Sequence, residues 1–257
     1  MTSLSQAIDA LQRAGEGWRG QVPDSWLQGR TAYGGFSTAL ALAAAQRAAP
    51  DLPPLRSAQV TFVGPLSGEI IVTARVLRQG RNATFVEAAV DGSAGAGVRA
   101  TFVFMREVAS SIDYVAGQAP DFPVPGPDTA TFNGHGAVAF SRNFELLDQR
   151  EGTGPAEWLR WARLIDRAGL DPAVELVCLA DCLPPAALKL VGGPAPVSSV
   201  TWLLNLLTPA PATSEGWWLL RADTDHARGG SSSQAMAIWN ADGVPVAQQM
   251  QSVVVYA

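Results

Sequence analysis

The sequence predicts an α+β protein made of two similar units in tandem, each an antiparallel sheet wrapped around one buried helix. Three observations carry that reading. A weak internal repeat comes first: Val60-Thr61-Phe62 is echoed by Val200-Thr201-Trp202, and Asp91-Gly92 by Asp242-Gly243, at spacings of 140 and 151 residues. Both copies run in the same order, from an apolar helix through a Val-Thr-aromatic strand to a terminal apolar strand. Second, Phe36 to Ala49 is rich in Ala and Leu, and a helix that is apolar all round must be buried. Third, the segments after it have strand lengths and turn residues between them, and a helix followed by such a meander forms a sheet that covers the helix.

The first unit is placed at residues 1–110. Met1 to Arg13 is polar and carries no assigned element. Tyr33-Gly34-Gly35 leads into the helix Phe36 to Ala49. Strands are expected at Ser57 to Val63, Glu69 to Arg78, Ala83 to Asp91 and Gly97 to Glu107, with breaks at Pro65, Gly68 and Gly80. Residues 111–136, with Pro120, Pro123, Pro125 and Pro127, form a linker. The second unit is placed at 137–257 and opens with a strand at Ala139 to Leu147. Glu157 to Ile165 fits helix and strand equally by pattern. Leu170 to Leu183 is a helix, with Asp171 as N-cap and Pro172 at the first helical position. Ser198 to Leu207, Gly216 to Asp223, Ser231 to Asn240 and Val246 to Tyr256 follow as strands, with a turn at Asp242-Gly243.

Composition narrows the function. The 257 residues are 47% apolar and 16% charged, a globular pattern that excludes dominant disorder. A net charge of −5 offers no footprint for nucleic acid. The most apolar run, Ala39 to Ala45, is far shorter than a membrane span, and the N-terminus lacks a signal peptide's basic and apolar regions. A cytoplasmic protein without membrane insertion is expected. Cys178 and Cys182 read as two buried reduced thiols on one helical face. With His135 and His226 as the only histidines, no His-rich metal site is expected.

Asp181 is the only charged residue between Leu176 and Leu188. A carboxylate in such surroundings needs a partner, whether a backbone group near Pro184-Pro185 or a functional site. Gln251 falls in the alternating series Gln249, Gln251, Val253, Val255, which turns an amide either toward an apolar face or to the sheet rim. Thr224, Asp225 and His226 follow a strand and read as a strand-end cluster or as polar participants. Gly229-Gly230-Ser231-Ser232-Ser233 lacks the helix and Lys of a P-loop and reads as a turn. Arg75, Arg78 and Arg81 flank the Gly80 turn as a solvated hairpin tip or a phosphate contact.

Taken in order, Tyr33-Gly34-Gly35 with its helix, Val60-Thr61-Phe62, the linker, Ala180-Asp181 before Leu183-Pro184, Trp217 to Leu220, Asp242-Gly243-Val244, Val246-Ala247 and Gln251 resemble the acyl-CoA thioesterase II family. The resemblance covers about Gly20 to Tyr256. It implies a double hotdog fold, which makes Glu157 to Ile165 a strand, and hydrolysis of a fatty or other acyl-CoA without cofactor or metal. It also implies a site in which an Asp, a Thr or Ser and a Gln activate a water: Asp181 and Gln251 match, with Thr224 nearest for the hydroxyl and Asp225 or His226 as alternatives. Backbone donors for the oxyanion would come from Gly34 and Gly35 or from near Asp171. Homo-oligomers of double hotdog units stay open. The rival readings are a hotdog hydratase or dehydratase, which needs a catalytic His, and a non-catalytic acyl-CoA binder.

Overall fold

Residues 1–134, 138–193 and 195–257 are described in the computed structural model of the chain. His135 and the expected boundary at 136/137 lie outside the described residues. The N-terminal segment, to which the sequence assigned nothing, forms Leu4–Asp9 (α1) and the strands Gln12–Ala14 (β1) and Gly17–Val22 (β2). Ser3 and Gln6 close a capping box on α1, which satisfies donors that so short a helix would otherwise leave bare. Leu27–Gln28 (β3) and Thr31–Ala32 (β4) form a small hairpin ahead of Gly34–Arg47 (α2). The helix therefore starts on the two glycines that the sequence placed before it.

Leu55–Phe62 (β5), Gly68–Gln79 (β6), Ala83–Gly92 (β7) and Gly95–Met105 (β8) complete the first meander. The second unit differs at its entry. Ala139–Asn143 is a short 3-10 helix, and the strand is only Phe144–Asp148 (β9). Phe140, Phe144 and Leu146 are all buried, an even spacing of apolar residues that reads along the sequence as one longer strand. Glu157–Leu164 (β10) is a strand, and Pro172–Ala180 (α3) ends three residues earlier than expected. Asp171 accepts from the N–H groups of Ala173 and Val174, as an N-cap should. Val197–Leu206 (β11), Trp218–Arg228 (β12), Ser231–Asn240 (β13) and Pro245–Val255 (β14) follow. β12 runs five residues past the expected end, so Thr224, Asp225 and His226 lie within it.

Twelve strands form one antiparallel sheet in the order β1-β2-β6-β7-β8-β5-β11-β14-β13-β12-β10-β9. Each half of that list repeats the other in reverse, and the halves meet at β5 and β11. Thr61 faces Thr201 and Val60 faces Trp202 across this seam. The two echoing triplets are thus the strands that join the units, and their antiparallel pairing is what a two-fold relation requires. The architecture is a double hotdog.

α2 and α3 lie side by side on the inner face and run antiparallel. Tyr33 at the start of α2 bonds the Cys178 carbonyl near the end of α3, and Gln46 at the end of α2 bonds Asp171 at the start of α3. Leu40, Leu42, Val177, Leu179, Val60, Phe102 and Trp202 share one apolar core that spans both units. Residues 106–131 contain no helix or strand. This stretch supplies the Phe122 and Gly117 carbonyls to the indoles of Trp161 and Trp239. With Ala119 and Phe122 it covers a second apolar cluster of Leu159, Trp161, Trp217, Leu219 and Trp239. β10 is consequently buried on both faces and loses the alternation by which a strand is recognised.

Because the core and the seam are shared, residues 1–110 expressed alone are expected not to fold as a stable monomer, since β5 would be left as a bare apolar edge. A monomeric fragment with cooperative unfolding, measured by sedimentation and thermal melts, would overturn this.

Candidate active site

The contact between the helix ends builds the site. α3 stops at Ala180, and Asp181 is its C-cap. A carboxylate there faces the negative end of its own helix dipole, an unfavourable place. The antiparallel neighbour compensates: the N-terminus of α2 lies against Asp181, and the Gly35 N–H bonds its carboxylate. Glycine permits the approach. A methyl group at Gly34 would stand 2.5 Å from Asp181 Oδ2 and 3.0 Å from the Phe62 ring, and one at Gly35 would collide with the Cys178 carbonyl.

From the sheet side, Gln251 Nε2 donates to Asp181 Oδ1 at 2.7 Å and to Ser199 Oγ at 3.2 Å. Gln251 is 3% exposed, and the inward series Gln249, Gln251, Val253 and Val255 is buried throughout. Both hydrogens of the Gln251 amide are therefore committed to Asp181 and Ser199. Ser199 Oγ accepts one of them and keeps its own proton to donate. Buried Arg160, held by Asp148 at 2.5 and 3.0 Å, donates to the Cys182 carbonyl and fixes the turn after Asp181. Cys178 and Cys182 are free, buried thiols.

Asp181 retains partial solvent access, yet burial pushes its carboxyl up from 3.8 to about 7, and the bonds from Gln251 and Gly35 pull it down only in part. Desolvation wins because two neutral donors replace only some of the lost hydration.

The structure brings Asp181, Gln251, Gly34 and Gly35 together. It does not bring Thr224, Asp225 or His226 to them. Thr224 pairs with Gln234, which pairs with Gln251. It therefore stands two strands from β14, about 10 Å at the usual spacing, and its hydroxyl bonds neither Asp181 nor Gln251. A bulge between Thr224 and His226 adds one residue and reverses the alternation. His226 thus pairs with Ser233 on the outer face, where it lines a 520 Å³ concavity with Thr61, Thr201 and Arg99. Asp225 is exposed. Ser199 was missed because it opens β11 beside Ser198, just before a register shift, where no periodicity marks its direction. In the β6–β7 hairpin, Arg75 lies within the ladder rather than at the turn, exposed and paired with Glu87 at 2.7 Å.

Among the described residues the site occurs once in the pseudo-symmetric sheet. Trp202 pairs with Gln251, whereas Phe62, its counterpart in the repeat, pairs with Val98. Among the described residues no cluster of His, Cys, Asp and Glu could hold a metal, and no helix is long and apolar enough to cross a membrane.

A double hotdog with a single acid-amide-hydroxyl cluster at its helix junction defines the class of protein. Residues 22–105 match the acyl-CoA thioesterase N-terminal domain and residues 116–255 the acyl-CoA thioesterase C-terminal domain, and the chain belongs to the acyl-CoA thioesterase family. Among solved structures it is similar to a hot dog fold protein of unknown function from Alicyclobacillus acidocaldarius, 23% identical over 100% of this chain and 99% of that one, TM-score 0.82. It is likewise similar to an acyl-CoA thioesterase II from Mycobacterium marinum, 17% identical over 99% of both chains, TM-score 0.78. The dehydratase domain of RzxB from Pseudomonas fluorescens is more distant, 15% identical over 95% of this chain and 97% of that one, TM-score 0.52. At these identities the structures speak for the fold alone. No curated protein sequence matches the chain.

The raised carboxyl of Asp181 makes a stability prediction. Its folded value, about 7, exceeds the ordinary 3.8, so the folded state holds this proton more tightly than the unfolded chain. The group's contribution is complete below about pH 4 and is lost as the pH rises through 7, a change on the order of a few kcal/mol. Asp181→Asn is expected to raise the Tm at pH 8 and to leave it nearly unchanged at pH 4. Equal shifts at both pH values in thermal melts would contradict the assigned cause.

Proposed function

We propose that the protein hydrolyses an acyl-CoA thioester to CoA and a free carboxylic acid, with Asp181 as the base. The observation that carries this reading is the Gln251 amide donating to both Asp181 and Ser199 beside a helix N-terminus, within a chain of the acyl-CoA thioesterase family. A water held between Asp181 and Ser199 attacks the thioester carbonyl while its proton passes to the Asp181 carboxylate. The thioester is electrophilic enough that a positioned water with a carboxylate base suffices. Charge developing on the carbonyl oxygen is met at the N-terminus of α2 by the N–H of Gly34, which has no intrahelical acceptor, while the Gly35 N–H stays on the Asp181 carboxylate. When the C–S bond breaks, Asp181 returns the proton to the leaving thiolate. Gln251 does not touch the water: it holds the acid and the hydroxyl at a fixed spacing.

A dehydratase needs a histidine at the substrate, and His226, the one histidine among the described residues, faces the outer side of the sheet. In a thiol-release assay across acyl-CoA chain lengths, Asp181→Asn is expected to lose about 10²- to 10⁴-fold in kcat. Ser199→Ala should slow release, whereas Thr224→Val should stay near wild type. The ratio kcat/KM should rise with pH and level off above about 7, the value at which Asp181 ionises. A loss under about fivefold for Asp181→Asn would remove it as the base. Tight retention of fluorescent acyl-CoA without thiol release would make the protein a binder.

A further inference from the structure

Behind Gln251 lies a second glutamine. Gln234 on β13 is fully buried. Its Oε1 accepts the backbone N–H of Ala186 at 3.0 Å, and its Nε2 donates to Gln251 Oε1 at 2.7 Å and to Met236 Sδ at 3.4 Å. A side-chain amide can be turned over, exchanging oxygen for nitrogen. A backbone N–H cannot, because it only donates. Ala186 therefore requires Gln234 to present its oxygen upward and its nitrogen to Gln251. That nitrogen requires Gln251 to present its own oxygen and so to aim both N–H groups at Asp181 and Ser199. A reversed Gln251 would set nitrogen against nitrogen at one end and oxygen against the Asp181 carboxylate at the other.

We propose that Gln234 is a positioning residue for thioester hydrolysis, locking the Gln251 amide so that its N–H groups face Asp181 and Ser199 whether or not Asp181 carries a proton. The proposal rests on the hydrolase reading given above. Its chemical consequence is directional. A protonated Asp181 would pair best with a carbonyl oxygen, and the locked amide offers it only N–H. The lock therefore favours the carboxylate, the form a base requires, against the burial that opposes it. The other ionisable or charged groups facing this cluster are Tyr33 at the start of α2, Cys178 on α3, Cys182 in the turn and Arg160 on β10. Burial holds the Tyr33 hydroxyl and the Cys178 thiol well above their ordinary values and pushes Cys182 up to about 12. Arg160 is occupied by Asp148. Of the groups facing the cluster, Asp181 is the one whose carboxyl lies near neutrality, at about 7.

The test is Gln234→Met, which keeps the length and removes the amide. In thiol release it should lower kcat by about tenfold or more while KM stays within about twofold, and it should move the acid limb up by about half a pH unit or more. Placed on a Gln251→Ala background, the same substitution should change kcat by less than about twofold, because there is no amide left to orient. The titration of the Asp181 carboxyl, followed by carbon-13 NMR without substrate, should shift upward in Gln234→Met. An unmoved titration, or equal losses in both backgrounds, would overturn the proposal and reduce Gln234 to packing. If the wild type releases no thiol from any acyl-CoA, the hydrolase reading fails, and the NMR titration by itself decides whether the lock exists. Should Gln234→Met not fold, Gln234→Asn, one methylene too short to reach both Ala186 and Gln251, puts the same measurements on a polar side chain.

Discussion

The close antiparallel contact of α2 with α3 is the constraint on which the rest of the molecule depends. It exists because Gly34 and Gly35 have no side chains where the start of α2 meets Asp181 and the Cys178 carbonyl. The Tyr33 hydroxyl then closes the junction with a 2.7 Å bond to that carbonyl. Without this approach, Asp181 would be a carboxylate at the negative end of one helix with no positive end of another to face. The helix pair also sets the width of the inner layer, and the twelve strands close over it.

Asp181 shows how a fold can hold a group in a state that is costly to the fold itself. Burial opposes its charge, and two neutral donors oppose the burial without cancelling it. The result is a carboxyl that titrates near neutrality, where a proton can be taken and returned with little bias in either direction. A full complement of donors or an ion pair would have made the carboxylate more comfortable and a weaker base. The buried cation at the turn after Asp181, Arg160, is held by Asp148 in a two-point contact and by the Cys182 carbonyl, so its charge is spent on another acid.

The repeat made the architecture legible, since β5 and β11 carry it and pair with each other. Gln251 was legible from alternation because β14 has one wet face and one dry one. β10 was not, because the chain between the units buries its outer face as well. Thr224, Asp225 and His226 were misplaced for two physical reasons. The strand that holds them is five residues longer than its apolar stretch, and a bulge inside it turns His226 away from the core. Ser199 and Gln234 had no local signature at all. Ser199 meets Gln251 from 52 residues away in sequence and Gln234 meets Ala186 from 48, and no pattern along the chain encodes those meetings except the fold.

Joining the two units in one chain releases them from having to be alike. In a symmetric pair of identical subunits every substitution is made twice, so an amide that helps at one helix junction would also intrude at the other. Here Gln251 has Val98 as its counterpart, and each position has been chosen for one junction alone. The polypeptide has in effect converted a duplicated surface into a division of labour: one half bears the polar chemistry and its strain, and the other is left free to supply rigidity.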